Sequence, residues 1–254
     1  MKSELAPMPT QFEGFPGLMQ GGFLAGTAAG PSAKTMRVQI RRPVRPGDVL
    51  WLEERGDRRE VTMGDTLVMA AFPDAVRVAD PLPLERAAGL AAASAPLSFA
   101  KPFPGCAGCG DRPDGLGAEL RPLGKRIVGS WTPRRSASAD SRGVVDHTSV
   151  WTVTDCFTSW ALFVDPPADP SGGFVTANIA LHIRRPLRVG VTYLMQSWRD
   201  SDVPPGDFRG GSVIVGGSIE DEDGIVAMAD QELVRTEGFG MELNTPFLLA
   251  KGDD

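Results

Sequence analysis

The sequence predicts an α+β fold built from two tandem units, each a central helix wrapped by an antiparallel sheet. Three observations predict it. The tetrapeptide Ile-Arg-Arg-Pro occurs twice, at Ile40–Pro43 within "IRRPVRPGD" and at Ile183–Pro186 within "IRRPLRVGV". Each copy ends an alternating, strand-like run, "MRVQI" in the first and "ANIALHI" in the second. Before each run lies a segment with helical character, and after each come further strand-like runs.

The first helical segment is 17–30, "GLMQGGFLAGTAAG", rich in small residues with Leu18, Phe23 and Leu24 as its bulky members. Strand candidates follow at 35–42, 48–54, 58–63 and 66–72. The second helix is predicted from about Thr148 to Phe163, where Val150, Val153, Phe157 and Trp160 recur at helical spacing and make one apolar stripe. Asp146 suits its N-cap, because a short carboxylate there accepts an otherwise unpaired first-turn N–H. Strand candidates after it are about 173–185, 190–199, 210–220 and 224–237. In "VTANIALHI", Val175, Ala177, Ile179, Leu181 and Ile183 alternate with Thr176, Asn178, Ala180 and His182, the pattern of a half-buried strand. On that alternation Thr176 faces away from the apolar side, and it reaches the helix only if the strand bends there.

"DTLVMAAF" (65–72) and "DGIVAMAD" (223–230) close their halves with similar patterns. The repeated order is therefore helix, strand ending in Ile-Arg-Arg-Pro, turn, and more strands. Proline carries no ladder donor and belongs at a strand end or edge. A helix wrapped by an antiparallel sheet is the hotdog arrangement, and two in tandem make a double hotdog. The expected division is an N-terminal unit at 1–80, a linker at 81–104, a C-terminal unit at 105–240 and a tail at 241–254. The linker is rich in alanine, proline and serine, and "PLERAAGLAAAS" in it reads as a short helix. Loops at 132–145, 164–173 and 200–209 are candidates for shaping specificity.

In the second half, "HTSVWTVTDCF", "FVTANIALHIRRP" and "IVAMADQELVR" supply Asp155, Thr176 and Gln231 in that order. In order and context these resemble the catalytic aspartate, threonine and glutamine of acyl-CoA thioesterases of the type II double-hotdog family. Gln20-Gly21-Gly22 resembles the glycine pair opening the family's first helix, with Phe23 standing where the family has glutamine. "PFPGCAGCGDRPDGL" is similar to a segment of actinobacterial hotdog-like proteins that mostly lack assigned substrates. The resemblance implies a site with Asp155, Thr176 and Gln231 as catalytic residues. It also implies a wall for substrate binding from Gln20, Gly21, Gly22, Phe23, His147 and Trp151. The substrate implied is an acyl thioester of coenzyme A or of a carrier protein, hydrolysed by aspartate-activated water without a cofactor. Alternatives within the fold are a non-hydrolytic acyl- or polyketide-binding protein and a dehydratase-like enzyme. The first half has no carboxylate on its helix, so one site per chain is expected.

Composition narrows the function. Apolar residues make up 42% of the chain, enough for a large core, and the net charge of −6 argues against nucleic acid as partner. The N-terminus has no apolar run that would cross a membrane, so a cytoplasmic protein is expected. Edge strands in such folds invite pairing, and a homodimer is one assembly this allows. There is no Gly-x-Ser-x-Gly elbow, phosphate-binding loop or dinucleotide fingerprint. Cys106 and Cys109 have the spacing of half a zinc knuckle, but no second pair exists and Cys156 is assigned to the second helix, so no metal is expected. Arg41, Arg42, Arg184 and Arg185 read as solvated strand ends, with coenzyme A phosphates as the alternative partner.

Overall fold

The computed structural model describes residues 2–78, 81–93, 105–110, 114–123, 125–134, 139–164, 173–199, 212–236 and 241–242. The loop 200–209, most of 164–173, and the Phe-Pro of 103–104 lie outside the described residues. In the first half, β1 (Lys2–Glu4) and a short 3-10 turn (Thr10–Phe12) precede α1 (Gly21–Ala29). Then come β2 (Met36–Ile40), β3 (Trp51–Arg55), β4 (Arg58–Met63) and β5 (Thr66–Pro73). After α2 (Leu84–Ala93) come β6 (Glu119–Leu123), β7 (Arg126–Trp131), α3 (His147–Ser159) and the short α4 (Ala161–Val164). The chain continues through β8 (Gly173–Ile183), β9 (Tyr193–Arg199), β10 (Ser212–Asp221), β11 (Gly224–Thr236) and β12 (Met241–Glu242).

The strands form one antiparallel sheet in the order β1-β3-β4-β5-β2-β8-β11-β10-β9-β7-β6, with β12 pairing on β8. The two halves meet where β2 pairs with β8. Arg37 opposes Ala180 there, and each stands three residues before the isoleucine of its own Ile-Arg-Arg-Pro. The flanking pairs Met36↔Leu181 and Val38↔Ile179 exchange places if one copy is superposed on the other. The echo in the sequence thus marks a local two-fold axis through the middle of the sheet. Val38 and Ile179 are fully buried beneath the helices.

On the other face of the sheet, the axis carries a buried ion pair. The small Ala180 separates Arg37 on β2 from Asp230 on β11, which it also opposes. Arg37 reaches over it and donates to both Asp230 oxygens at 2.7 and 3.0 Å, and to Asp74 Oδ2 at 2.7 Å. The Arg77 N–H also donates to Asp230, at 2.6 Å. The network ties the segment after β5 to the second half of the sheet.

Both helices lie against the sheet and against each other. Helix α3 is buried from Ser149 to Thr158, because α1 covers what the apolar stripe leaves open. Asp146 caps it as the sequence predicts, its Oδ1 accepting the Thr148 N–H at 2.8 Å. The sequence did not reveal β6 and β7, which extend the far edge through β9. Their segment carries Pro122 and two glycines, turn signals that mask the alternation.

Two stability predictions follow from these contacts. Asp230→Ala leaves the buried Arg37 guanidinium with Asp74 as its remaining anionic partner and is expected to lower unfolding free energy by about 1–3 kcal/mol, read by chemical denaturation. Burial opposes ionisation of Asp146, but hydrogen bonds from His147 and Thr148 outweigh it and lower its pKa from 3.8 to about 2. Its stabilisation is therefore present above the unfolded value and is lost as pH falls toward the folded one. Asp146→Ala should destabilise by roughly 1 kcal/mol at neutral pH, and the gap to wild type should close in acid denaturation curves.

Candidate functional site

Asp155 projects from the middle of α3 into the seam where α1, β8 and β11 meet. Three of its neighbours are the residues the sequence singled out. Thr176 on β8 donates to Asp155 Oδ1 at 2.6 Å. Gln231 on β11 donates from Nε2 to the same oxygen at 2.7 Å and to Thr176 Oγ1 at 2.6 Å. Gln20 donates from Nε2 to Asp155 Oδ2 at 2.5 Å and to the Thr152 carbonyl at 3.1 Å. The Gly22 N–H also bonds the carboxylate.

A bulge in β8 places Thr176. Glu232 opposes Asn178 but Leu233 opposes Thr176, which leaves Ala177 without an opposite residue. The alternation flips at that point. Thr176 and Phe174 therefore join Ile179 and Leu181 on the helix-facing side, and the simple alternation read from the sequence fails before residue 177. Gln231 opposes Ile179 and is fully buried, so it too faces the helices. Its Oε1 accepts the hydroxyl of Thr158, and its Nε2 is 3.0 Å from Ser159 Oγ. The amide is held from both ends, and its orientation is determined. Thr158 and Ser159 are supports the sequence reading missed. Their signal is their position one turn beyond Asp155 on the same helix face.

Gln20 is the N-cap of α1, its Oε1 accepting the Phe23 N–H at 2.7 Å. One side chain thus ends the helix and binds the acid. The close approach of α1 depends on Gly22, where a Cβ would lie 2.2 Å from the Trp151 carbonyl oxygen and 2.6 Å from Asp155 Cβ. At Gly26 a Cβ would lie 2.9 Å from Thr148 Cα. Gly22 therefore serves helix–helix contact rather than helix–sheet contact.

Asp155 is 5% exposed. Burial disfavours its charged form and raises its pKa to about 6. Donors from Thr176 and Gly22 pull it down, while the neighbouring Cys106 adds to the rise.

A cavity of about 470 Å³ opens beside the carboxylate. Gln20, Gly21, Asp155 and Thr176 line it, with Ile40-Arg41-Arg42-Pro43-Val44 along one side. Gln231 lies behind Thr176 rather than on the wall. Phe23 is stacked on Phe12, ring centroids 4.1 Å apart, and is not among the lining residues. Gly22, His147 and Trp151 are likewise absent from this wall.

His147 and Trp151 line a second hollow, of about 490 Å³, at the other end of the helix pair. Its side is formed by Ile183-Arg184-Arg185-Pro186-Leu187. Each copy of the repeat thus frames its own hollow. Asp155 is eight residues beyond the first residue of α3, and the same step along α1 reaches Ala29. No carboxylate lines the second hollow among the described residues.

Cys156 lies on α3, as the sequence assigns it, and the fold brings it to the Cys106–Cys109 pair. The turn at 105–110 lies on α3, and the three sulfurs fall within 4.8 Å of one another. Cys106 and Cys156 Sγ are 3.9 Å apart, and all three cysteines line the Asp155 cavity.

The fold and the position of this cavity define a double-hotdog protein. No family model matches the sequence, and no curated protein sequence matches it significantly. Solved structures do match. The tesB protein of Mycobacterium avium subsp. paratuberculosis superposes over 92% of this chain and 93% of its own, at 13% identity and a TM-score of 0.53. A protein assigned as a thioesterase from Novosphingobium aromaticivorans covers 92% and 95%, at 16% identity and TM-score 0.56. GphF dehydratase 1 covers 93% of each chain, at 15% identity and TM-score 0.57. The structural neighbours are thioesterase II and other hotdog proteins, and this chain shares their fold.

Gly22→Ala tests the seam. The methyl group forces α1 off α3 and should destabilise by about 1–3 kcal/mol or more. Thermal unfolding should report that loss, and Ala substitution at Gly89 in α2, whose Cβ meets nothing and whose backbone is helical, provides the comparison of a glycine outside the seam.

Proposed function

We propose that the chain hydrolyses an acyl thioester, with Asp155 as the base that activates water. The observation that carries this reading is the convergence of Asp155, Thr176 and Gln231 beside a cavity that runs between the halves. A water on the cavity side of Asp155 would lose its proton to the carboxylate as it attacks the carbonyl carbon. Thr176, held by Gln231, orients that water and keeps the carboxylate from rotating. Gly21 opens α1, so its N–H has no intrahelical acceptor, and it lines the cavity. That group, at the positive end of the helix, is the donor for the developing oxyanion. The thiolate then departs and takes up a proton.

The mostly apolar wall of Leu18, Leu24, Ile40, Phe174 and Leu233 suits an acyl chain. Arg41 and Arg42 on the same cavity are exposed and suit the phosphates of coenzyme A. A carrier protein's phosphopantetheine presents one phosphate instead and is the alternative carrier.

A dehydratase reading requires both a base and a proton donor for the leaving hydroxyl, commonly a histidine with an aspartate. The sequence holds two histidines, and neither lines the cavity of Asp155. His182 is held by Thr35 at 2.7 Å instead. That separation favours hydrolysis over elimination.

The test is turnover of an acyl-CoA panel followed by thiol release. Asp155→Ala is expected to lower kcat/KM by about 10²–10⁴-fold, and Thr176→Ala by roughly 10²-fold. Hydrolysis at the wild-type rate by folded Asp155→Ala would remove the mechanism. Tight acyl-CoA binding by the wild type without thiol release would make it a binding protein.

A further inference from the structure

Three cysteines stand within reach of one another in the wall of the cavity, and the mechanism above uses none of them. We propose that Cys106, Cys109 and Cys156 bind one soft divalent cation, zinc in the first instance, with its fourth coordination position facing the cavity that Asp155 lines.

The geometry has four parts. The first is spacing. Zinc–thiolate bonds of about 2.3 Å in tetrahedral array place sulfurs roughly 3.8 Å apart. Cys106 and Cys156 Sγ are 3.9 Å apart, and all three sulfurs lie within 4.8 Å of one another. The spacing already approaches the edge of a coordination tetrahedron.

The second is the turn that carries the pair. Cys106 and Cys109 are the ends of a Cys-x-x-Cys turn, the spacing that lets two thiolates chelate one ion. The backbone N–H groups of Gly108 and Cys109 point back at Cys106 Sγ, and the Trp160 indole donates to Cys109. Donors aimed at sulfur orient the metal's ligands.

The third is the way the turn is held on α3. A Cβ at Gly108 would lie 2.7 Å from Cys156 Cβ, so only glycine lets the turn close over that cysteine. The turn is anchored on both sides, with Ala107 N–H donating to the Glu13 carbonyl at 3.1 Å and Leu116 N–H to the Ala107 carbonyl at 2.8 Å. The third ligand comes from an element remote in sequence, as in a preformed site rather than a flexible chelating loop.

The fourth is the open side. All three cysteines are buried, and all three line the same cavity as Asp155. Three protein ligands with the remaining position turned to a cavity is the arrangement of zinc sites that keep a place for water or a small ligand. Sulfur donors select zinc or other thiophilic ions over magnesium or calcium. A dication offsets two of the three negative charges that the thiolates would otherwise gather in a buried place.

The proposal is independent of the hydrolase reading, because its test does not read turnover. The full chain is purified under reducing conditions without chelator, and its metal content is measured by inductively coupled plasma mass spectrometry. The expected result is one zinc per chain, falling to background in Cys106→Ser and in Cys156→Ala. Cys156→Ala leaves an apolar side chain in an apolar slot, and circular dichroism checks that it folds. Cobalt(II) added to chelator-stripped protein should give a thiolate-to-cobalt charge-transfer band and the visible bands of a tetrahedral ion. Both should vanish in the two variants. A wild-type chain that takes up neither zinc nor cobalt overturns the proposal, whatever the variants do. So does an intact mass showing that freshly purified protein carries a disulfide between two of these cysteines.

Discussion

A carboxylate removed from water is tolerable only where donors replace its hydration, and the centre of this molecule is organised around meeting that condition for Asp155. Four donors converge on it from three elements: Gln20 and Gly22 at the start of α1, Thr176 on β8, and Gln231 on β11. None of these elements can shift alone without leaving the charge short of a partner, which is far more expensive than losing an ordinary hydrogen bond. The seam of the fold and the chemistry of the site are therefore one constraint. Gly22 makes it sterically attainable, and the bulge at Ala177 turns the threonine toward it.

The same reasoning accounts for the asymmetry of a duplicated chain. The two copies keep their backbone relation closely enough that Arg37 and Ala180 pair across the local axis, and each copy of Ile-Arg-Arg-Pro borders a hollow. Among the described residues, only the hollow at the start of α1 faces an acid. At the other, Ala29 stands where Asp155 would be, and Asp146 replaces Gln20 as the helix cap. The cap therefore carries a charge where the facing helix has none, and a glutamine where the facing helix has one. A glutamine as the α1 cap keeps a second carboxylate away from Asp155, which would force one of the two to hold a proton.

Much of the architecture was readable because it is local. Asp146 announces a helix start by residue type and position, and the two copies of Ile-Arg-Arg-Pro announce equivalent strand ends. The site was readable only through the order of three short motifs, since helix periodicity by itself places Asp155 on a polar, solvent-like face. That face is covered because α1 is stripped to glycine where it crosses, a fact about contact between distant segments. The bulge is equally silent, because a one-residue slip in pairing leaves no mark on a run that alternates well. The strands β6 and β7 were hidden by Pro122 and Gly129, which belong to a strand pair at the sheet edge, where proline is tolerated. Phe23, assigned to the substrate wall by its place after the glycine pair, instead stacks on Phe12 and fixes the segment that leads into α1.

The cysteines show the limit from the other side. A single Cys-x-x-Cys in a chain with one more cysteine reads as an incomplete site when ligands are counted along the sequence. Counted in space the number changes, because the turn at 105–110 is laid directly on the helix residue that follows Asp155. The acid and a sulfur ligand are thus neighbours in the chain, and they face one cavity from the same turn of α3. Whatever enters that cavity meets a carboxylate and three sulfurs together, so the electrostatics of the crevice cannot be assigned to Asp155 alone. A buried cation held by the thiols would favour the charged form of the carboxylate, and bare thiolates would oppose it.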